Sequence, residues 1–204
     1  VAPWRTATCV ADSTPIPARK ASTGRKKASH SLSIAHLVKP GPDGSGGRSA
    51  LCRHPVAARV GSETRLRADL DSVPIRSLIT DGQMDVSGVA PLVGRCRWHL
   101  PRSIRHQLYN DDVSGDFNKR LTDSPRSLVH GRFPSGAMAR DLLQRWATVC
   151  DLVAPQSATT VERAIDAIAI YADRSEAFTV ETTAPAEREM RELNRRFENG
   201  GQWT

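Results

Sequence analysis

The sequence has few of the features that normally point to a function. Its four cysteines, at positions 9, 52, 96 and 150, are far apart and form no C-x-x-C pair, which argues against a dense disulfide framework. Aromatic residues account for only 5% of the chain and hydrophobic residues for 39%, which is enough for one modest core. No run approaches the roughly 18 apolar residues that a membrane span needs, and no secretory hydrophobic region is present. We therefore expect an intracellular protein without a membrane span, cytoplasmic, or organellar if the basic N-terminus is a transit peptide.

Positive charge is concentrated in the first half of the sequence. Residues 1–100 contain 15 Lys and Arg residues against 7 Asp and Glu residues, whereas residues 101–204 contain 14 against 15. The net charge of +7 favours a polyanionic partner, such as nucleic acid, an acidic protein or an anionic membrane surface. Charge alone does not distinguish among these partners.

The same boundary separates two kinds of local sequence. Residues 1–48 are rich in Pro, Gly, Ser and basic side chains, and they predict a disordered basic arm that ends in a Gly/Pro linker. Residues 49–99 hold short apolar clusters broken by prolines, and they predict an irregular region with a short hairpin at Asp81-Gly82. Residues 100–204 predict a helical domain. The expected fold class is therefore mainly α, with a small domain of three to four helices after a basic, largely irregular N-terminal region.

Apolar spacing predicts the helices of the second half. The first begins near Pro101, and the others cover about residues 136–153, 160–174 and 185–199. Ser135 and Thr159 are the expected N-caps of the middle two helices. The buried face of the 136–153 helix is expected to carry Met138, Leu142, Trp146, Val149 and Val153, and the stripe is widened by Leu143, Cys150 and Leu152. Two prolines in residues 115–134 predict a polar connector there.

Two short fragments pair a cysteine with a histidine and suggest a zinc site. Cys52 is followed by His54, and Cys96 is followed by His99. Zinc binds four such ligands in a tetrahedron, and two clips from separate loops can supply them. The spacings are unusual for zinc sites, and chance occurrence is the competing explanation.

The first half also offers a weak nucleic-acid site. Its clustered cations release phosphate counterions and give affinity that depends on salt but not on sequence. An ordinary solvated tail explains the same clusters. These residues are Arg19, Lys20, Arg25, Lys26 and Lys27. The 160–174 helix is poorly suited to bind in a DNA groove, because several of its exposed residues are acidic and would be repelled by the phosphates.

The last helix carries a narrow apolar stripe, Met190, Leu193 and Phe197, that predicts a binding surface. The stripe could fill the groove between the two preceding helices, or it could dock on a second copy or on another protein. The internal location is favoured because short connections place successive helices together.

These patterns lead to three hypotheses of function. The first is a non-enzymatic regulatory or adaptor protein, whose helical domain binds a macromolecular partner and whose basic arm adds nonspecific affinity for nucleic acid. The second is a small metal-dependent or hydrolytic enzyme that uses the Cys/His clips, with zinc as cofactor. The third is a reading frame without a functional N-terminal half, in which residues 1–83 do not belong to the mature protein.

Overall fold

The computed structural model describes residues 7–17, 29–41, 51–61, 63–130 and 133–198, and these fold around a mixed β-sheet. The strands are β1 (Thr8–Pro17), β2 (Ser29–Pro40), β3 (Leu51–Val60), β4 (Ser77–Thr80) and β5 (Leu92–Arg95). The helices are α1 (Glu63–Asp71), α2 (His99–Asn110), α3 (Gly115–His130), α4 (Gly136–Asp151), α5 (Pro155–Asp173) and α6 (Ala184–Glu198). A 3-10 turn at Ser175–Ala177 follows α5.

The five strands lie in the order β3-β2-β1-β4-β5. β2 runs antiparallel to both β1 and β3, whereas β4 is parallel to β1 and β5 is parallel to β4. The parallel pairing places Ala11 of β1 beside Thr80 of β4. The carboxyl ends of β1's paired segment and of β4 therefore lie next to each other.

The two faces of the sheet are covered by different helices, and apolar side chains of β2 contact both of them. Ala35 and Leu37 of β2 pack with Leu66 and Leu70 of α1 on one face. On the other face, Leu32 and Ile34 of β2 pack against Met190 of α6. Successive strand side chains point to opposite faces, so the order of apolar residues in β2 fixes both contacts.

The remaining helices form a second core beside the sheet. Buried side chains of α2, α4 and α5 make one cluster, and partly buried Val113, Leu121 and Phe133 pack against it. The buried face of α5 includes Val161, Ala164, Ile165, Ile168 and Ala169.

The mainly α fold class predicted from the sequence is wrong, because a five-stranded sheet lies in the half expected to be irregular. β1 and β2 occupy part of residues 1–48, where the sequence predicted a disordered arm and a linker, and the Gly-rich stretch 42–50 lies outside the described residues. Pairing with other strands stabilises β1 and β2, and local sequence does not reveal that pairing. β2 contains polar residues, such as Ser33 and His36, that are buried in the folded protein. Polar residues of this kind are also common in irregular segments, so the composition of β2 did not indicate a buried strand.

Two further expectations need correction in this part of the chain. Residues 115–130 belong to α3 rather than to a polar connector, and Leu121 packs against the helical core. Residues Met84–Val89 do not form a hairpin with β4; instead, β5 pairs with β4 in parallel.

The helix predictions were more accurate in extent than in orientation. Ser135 caps α4 as expected, because its side chain accepts a hydrogen bond from the backbone N–H of Met138 at 3.2 Å. α5 begins earlier than expected, and the Thr159 hydroxyl donates to the Pro155 carbonyl inside the helix instead of capping it. In α4, the predicted stripe is buried at Leu143, Trp146 and Cys150. Its other side, which includes Met138 at 47% exposure and Val149 at 65%, faces away from the core.

Membrane insertion finds no support in the helices. Among the described residues, none of the helices is both long enough and apolar enough to cross a bilayer.

Candidate carboxylate site

Two aspartates meet where the parallel strands β1 and β4 end their pairing. Asp12 follows Ala11 in β1, and Asp81 follows Thr80 at the end of β4, so the register of the strands makes them neighbours. Both are almost fully buried, with 3% exposure for Asp12 and 1% for Asp81. Carboxyl ends of parallel strands are the usual position of ligand sites in open α/β sheets.

The turn after β4 holds the Asp81 side chain in place. One carboxylate oxygen, Oδ1, accepts a hydrogen bond from the backbone N–H of Gln83 at 2.9 Å. The other oxygen, Oδ2, is buried and receives no donor from the described residues. The turn itself needs Gly82, whose φ is +80°.

The Asp12 and Asp81 carboxyls are in direct hydrogen-bonding contact. Burial, followed by the charge of Asp81, raises the pKa of Asp12 to about 8. Two ionised carboxylates repel each other at this separation, so the contact requires a proton or a cation between them. A bound proton or cation therefore stabilises the pair.

A third carboxylate, Glu187, comes from the first turn of α6. The helix is seated on the sheet because Ala186 packs against Val10 of β1 and Val38 of β2. Val10 and Asp12 point to the same face of β1, which places Glu187 on the side of the sheet that Asp12 faces. The charge of Glu187 contributes to the raised pKa of Asp12, and both residues line one cavity.

A compact hydrogen-bonded group joins Glu187 to the end of β5 and the start of α2. The Thr183 hydroxyl lies 3.4 Å from Cys96 Sγ, 3.1 Å from His99 Nδ1 and 2.9 Å from Glu187 Oε1. Hydrogen bonds from His99 and Thr183 outweigh burial and lower the pKa of the Cys96 thiol. The hydrogen bond to Cys96 is also the main reason that the pKa of His99 is raised.

The carboxylates open into a cavity of about 1040 Å³. Its wall includes four arginines that could receive an anionic ligand: Arg95, Arg102, Arg163 and Arg191. Asp85 and Asp166 also line it, so the wall is mixed in sign. Arg95 lies against the Asp81 turn, and its buried Nε has no partner among the described residues.

The structure separates the two halves of the zinc site expected from the sequence. Cys52 and His54 lie on the edge strand β3, whereas Cys96 and His99 follow β5 at the opposite edge. Three strands intervene, and with neighbouring strands about 4.8 Å apart the halves cannot share one ion. Cys96 and His99 do lie together, with Glu187 as their neighbour.

The other predicted site residues have different outcomes. Met190 packs on Leu32 and Ile34 of β2, with Leu193 beside it, rather than in the groove between α4 and α5. The side chain of Phe197 lies outside the described residues, as does the cationic group Arg19, Lys20, Arg25, Lys26 and Lys27. Their role in binding stays a prediction.

Sequence reasoning did not identify Asp12, Asp81 or Glu187 as site residues. Asp12 is the one acidic residue among the first 40, and Asp81 directly follows an apolar run. These were usable signals, but only the parallel register of β1 and β4 brings the two together.

No protein-family model matches this chain. No curated protein is significantly similar to its sequence.

Proposed function

We propose that the protein is a divalent-metal-dependent enzyme that cleaves or transfers phosphodiester bonds of nucleic acid. The observation that carries this proposal is the buried, hydrogen-bonded pair of Asp12 and Asp81, with Glu187 beside it. Buried charges of one sign are expensive unless a counter-charge is supplied. A purely structural role gives no reason for placing them together at the wall of a large cavity.

The carboxylate group fits a hard divalent cation such as Mg²⁺ or Mn²⁺. Such ions prefer oxygen ligands and bind through one or two carboxylates together with the oxygens of a phosphate substrate. Asp81 Oδ2 is a buried acceptor that receives no donor among the described residues, and it is the atom with most to gain from a cation. Asp12 and Asp81 would hold the ion, and Glu187 would join them by turning its side chain away from Cys96 and His99, with which it clusters in this structure. When bound, the ion supplies a Lewis acid that polarises the phosphoryl group and lowers the pKa of bound water.

The protein's own residues would orient the substrate around this centre. The sheet holds Asp12 and Asp81 in position. Glu187 belongs to α6, which packs on the sheet through Ala186. A rigid placement of this kind reduces the reorganisation that the reaction requires. Arg95 lies against Gly82 in the turn that follows Asp81, and its planar guanidinium suits a bidentate contact with phosphate.

Charge supports nucleic acid as the substrate class. The chain carries a net charge of +7, and four arginines line the cavity that contains the carboxylates. Phosphate contacts by Lys and Arg provide most of the affinity for a nucleic acid backbone. The acidic centre would otherwise repel such a substrate, which is a further reason to expect that a cation accompanies it.

Topology adds support through the position of the carboxylates. Asp12 and Asp81 lie at the carboxyl ends of two neighbouring parallel strands, which is where open α/β sheets usually bind their ligands. A fold does not specify a reaction, so the proposed chemistry rests on the carboxylates themselves.

The adaptor hypothesis stays a prediction, and the carboxylate site favours the enzymatic alternative in a modified form. The proposed metal ligands are the three carboxylates rather than Cys52 and His54. The basic arm, if it binds nucleic acid, would assist such an enzyme by increasing substrate affinity.

Cleavage of supercoiled plasmid DNA with Mg²⁺ or Mn²⁺ tests the proposal. We expect nicked or linear product from the wild type with either ion and none after chelation. Asp12→Asn and Glu187→Gln keep the size of each side chain but remove its charge, and each should lower the rate by about 100-fold or more.

Asp166→Asn is the matched control, because Asp166 lines the same cavity but is an exposed residue paired with Arg140. It should retain the wild-type rate. A short RNA duplex and an RNA–DNA hybrid tested in parallel identify the preferred nucleic acid. Absence of metal-dependent cleavage of all three substrates would refute the proposal.

A further inference from the structure

A second group of potential metal ligands adjoins the carboxylates. Cys96 Sγ, His99 Nδ1 and Glu187 Oε1 come from the end of β5, the start of α2 and the first turn of α6, and all lie within 4.8 Å of one another. The separation between His99 Nδ1 and Glu187 Oε1 is 3.7 Å. This group differs in chemistry from the aspartate pair because it offers sulfur and nitrogen.

The spacing of these atoms matches tetrahedral zinc. With Zn–N and Zn–O bonds of about 2.0 Å and a Zn–S bond of about 2.3 Å, ligand atoms of a tetrahedral site are roughly 3.3–3.6 Å apart. The His99–Glu187 separation of 3.7 Å is close to that range. The Thr183 hydroxyl contacts all three ligand atoms at 2.9–3.4 Å and so marks a fourth corner. Only small movements of the side chains would be needed to admit an ion.

Ligand type favours zinc over Mg²⁺ at this position. Thiolate and imidazole are preferred by zinc, whereas Mg²⁺ requires oxygen ligands. Three protein ligands with a weak or exchangeable fourth are typical of zinc sites that remain open. His99 and Glu187 both line the large cavity, which gives an ion a route to the buried Cys96.

We propose that Cys96, His99 and Glu187 form a zinc site, and that zinc bound there inhibits the neighbouring carboxylate site. Glu187 belongs to both ligand sets, so zinc withdraws it from the set that includes Asp12 and Asp81. The inhibitory half rests on the proposed function, whereas the binding half stands on the geometry alone. Binding of zinc at this site thus inhibits the Mg²⁺-dependent reaction.

Cobalt substitution tests the binding half without any need for activity. Co²⁺ bound to a thiolate gives a charge-transfer absorption in the near ultraviolet, and added Zn²⁺ should abolish it by displacement. We expect this band in the wild type and its loss in Cys96→Ser. Cys150→Ser is the matched control, because Cys150 is also buried but lies in the helical core. Absence of the band in the wild type would overturn the site without reference to any variant.

A zinc titration of plasmid cleavage tests the inhibitory half. With Mg²⁺ in excess, zinc should inhibit the wild type at concentrations about tenfold or more below those that inhibit Cys96→Ser, because loss of one ligand weakens binding. Equal inhibition of the two proteins, or cleavage by the wild type that resists zinc, would overturn this half. If Mg²⁺ supports no cleavage, the proposed function and with it zinc inhibition fail, and the cobalt spectrum still decides the zinc site.

Discussion

The carboxyls of Asp12 and Asp81 form a hydrogen-bonded, buried pair at the carboxyl ends of two adjacent parallel strands. Burial and mutual repulsion raise the pKa of Asp12 to about 8, so without a cation the pair holds a proton at neutral pH. The arrangement costs stability in the free protein and becomes favourable when a cation neutralises it. Several consequences can be measured.

Asp81→Asn should stabilise the metal-free protein while removing its response to metal. The substitution eliminates the charge that opposes ionisation of Asp12, and we expect a gain of about 1–2 kcal/mol in the free energy of unfolding at pH 7. Thermal unfolding with and without Mn²⁺ measures both effects. The wild type should be stabilised by the ion and the variant should not be.

Asp85→Asn is the control for that measurement. Asp85 lines the same cavity but is exposed, and its hydrogen bonds with Ser87 lower its pKa. This variant should be slightly destabilised and should retain the response to Mn²⁺. A loss of stability in Asp81→Asn would show that the buried pair is not under repulsion.

Gly82→Ala should disturb the position of Arg95 as well as the turn. A Cβ at Gly82 would overlap a guanidinium nitrogen of Arg95, and the φ of +80° is unfavourable for alanine. Gly88 has a φ of +78° with no atom near its Cβ position, so Gly88→Ala measures the backbone effect alone. Each variant should lose about 1–2 kcal/mol of stability.

Only Gly82→Ala should also weaken binding of nucleic acid. Fluorescence anisotropy with a labelled DNA duplex measures this at fixed ionic strength. Equal affinity of the two glycine variants would argue against a role of Arg95 in holding phosphate.

The folded protein should lose stability in mild acid because a buried histidine lies where α6 packs on the sheet. His36 of β2 is buried, and its Nε2 lies 2.7 Å from Glu189 Oε2 of α6. Burial outweighs the attraction of Glu189, while Arg53 and His54 add repulsion, so the pKa of His36 is lowered from 6.5. The unfolded chain then binds more protons than the folded protein, and stability falls as the pH drops below about 6.5.

Urea unfolding between pH 5 and pH 7 measures that slope, which is at most about 1.4 kcal/mol per pH unit for one group. His36→Gln should flatten it, whereas His106→Gln, at an exposed position on α2, should leave it unchanged. A slope that His36→Gln does not alter would assign the acid sensitivity to other groups.

The burial pattern of α4 predicts different losses of stability for two substitutions in the same helix. Leu143 is fully buried in the helical core, whereas Met138 is half exposed. Leu143→Ala should cost about 2–5 kcal/mol, because it removes buried contacts and leaves a cavity. Met138→Ala should change stability by no more than about 0.5 kcal/mol, and chemical denaturation distinguishes the two outcomes.

The local sequence predicted the extent of a helix where the signals for its ends and its apolar spacing lie within or next to the helix itself. The extents of α4 and α6 could be predicted because a Ser135 cap, Pro185 in the first turn and regular apolar spacing are local signals. The orientation of α4 was predicted only in part, because small residues such as Ala139 and Ala147 fill the core while the larger Met138 and Val149 remain exposed.

The sheet and the site depend on contacts between distant segments. β1 pairs with β4 across some 70 residues, and no property of either strand alone specifies the partner. Asp81 was interpreted as part of a turn, which is correct for its backbone and its Oδ1 atom. Its second role appears only when Asp12 and Glu187 are placed beside it by β1 and α6.

Direct measurement of Mn²⁺ binding tests the carboxylate site most sharply. Electron paramagnetic resonance of free Mn²⁺ gives the bound fraction without requiring cleavage, and wild type and Asp12→Asn can be compared at equal concentration and salt. We expect a saturable site in the wild type whose affinity falls by about 10-fold or more in the variant, because a ligand and its charge are lost. Equal binding by both proteins, or no saturable binding by the wild type, would contradict a metal centre at Asp12 and Asp81.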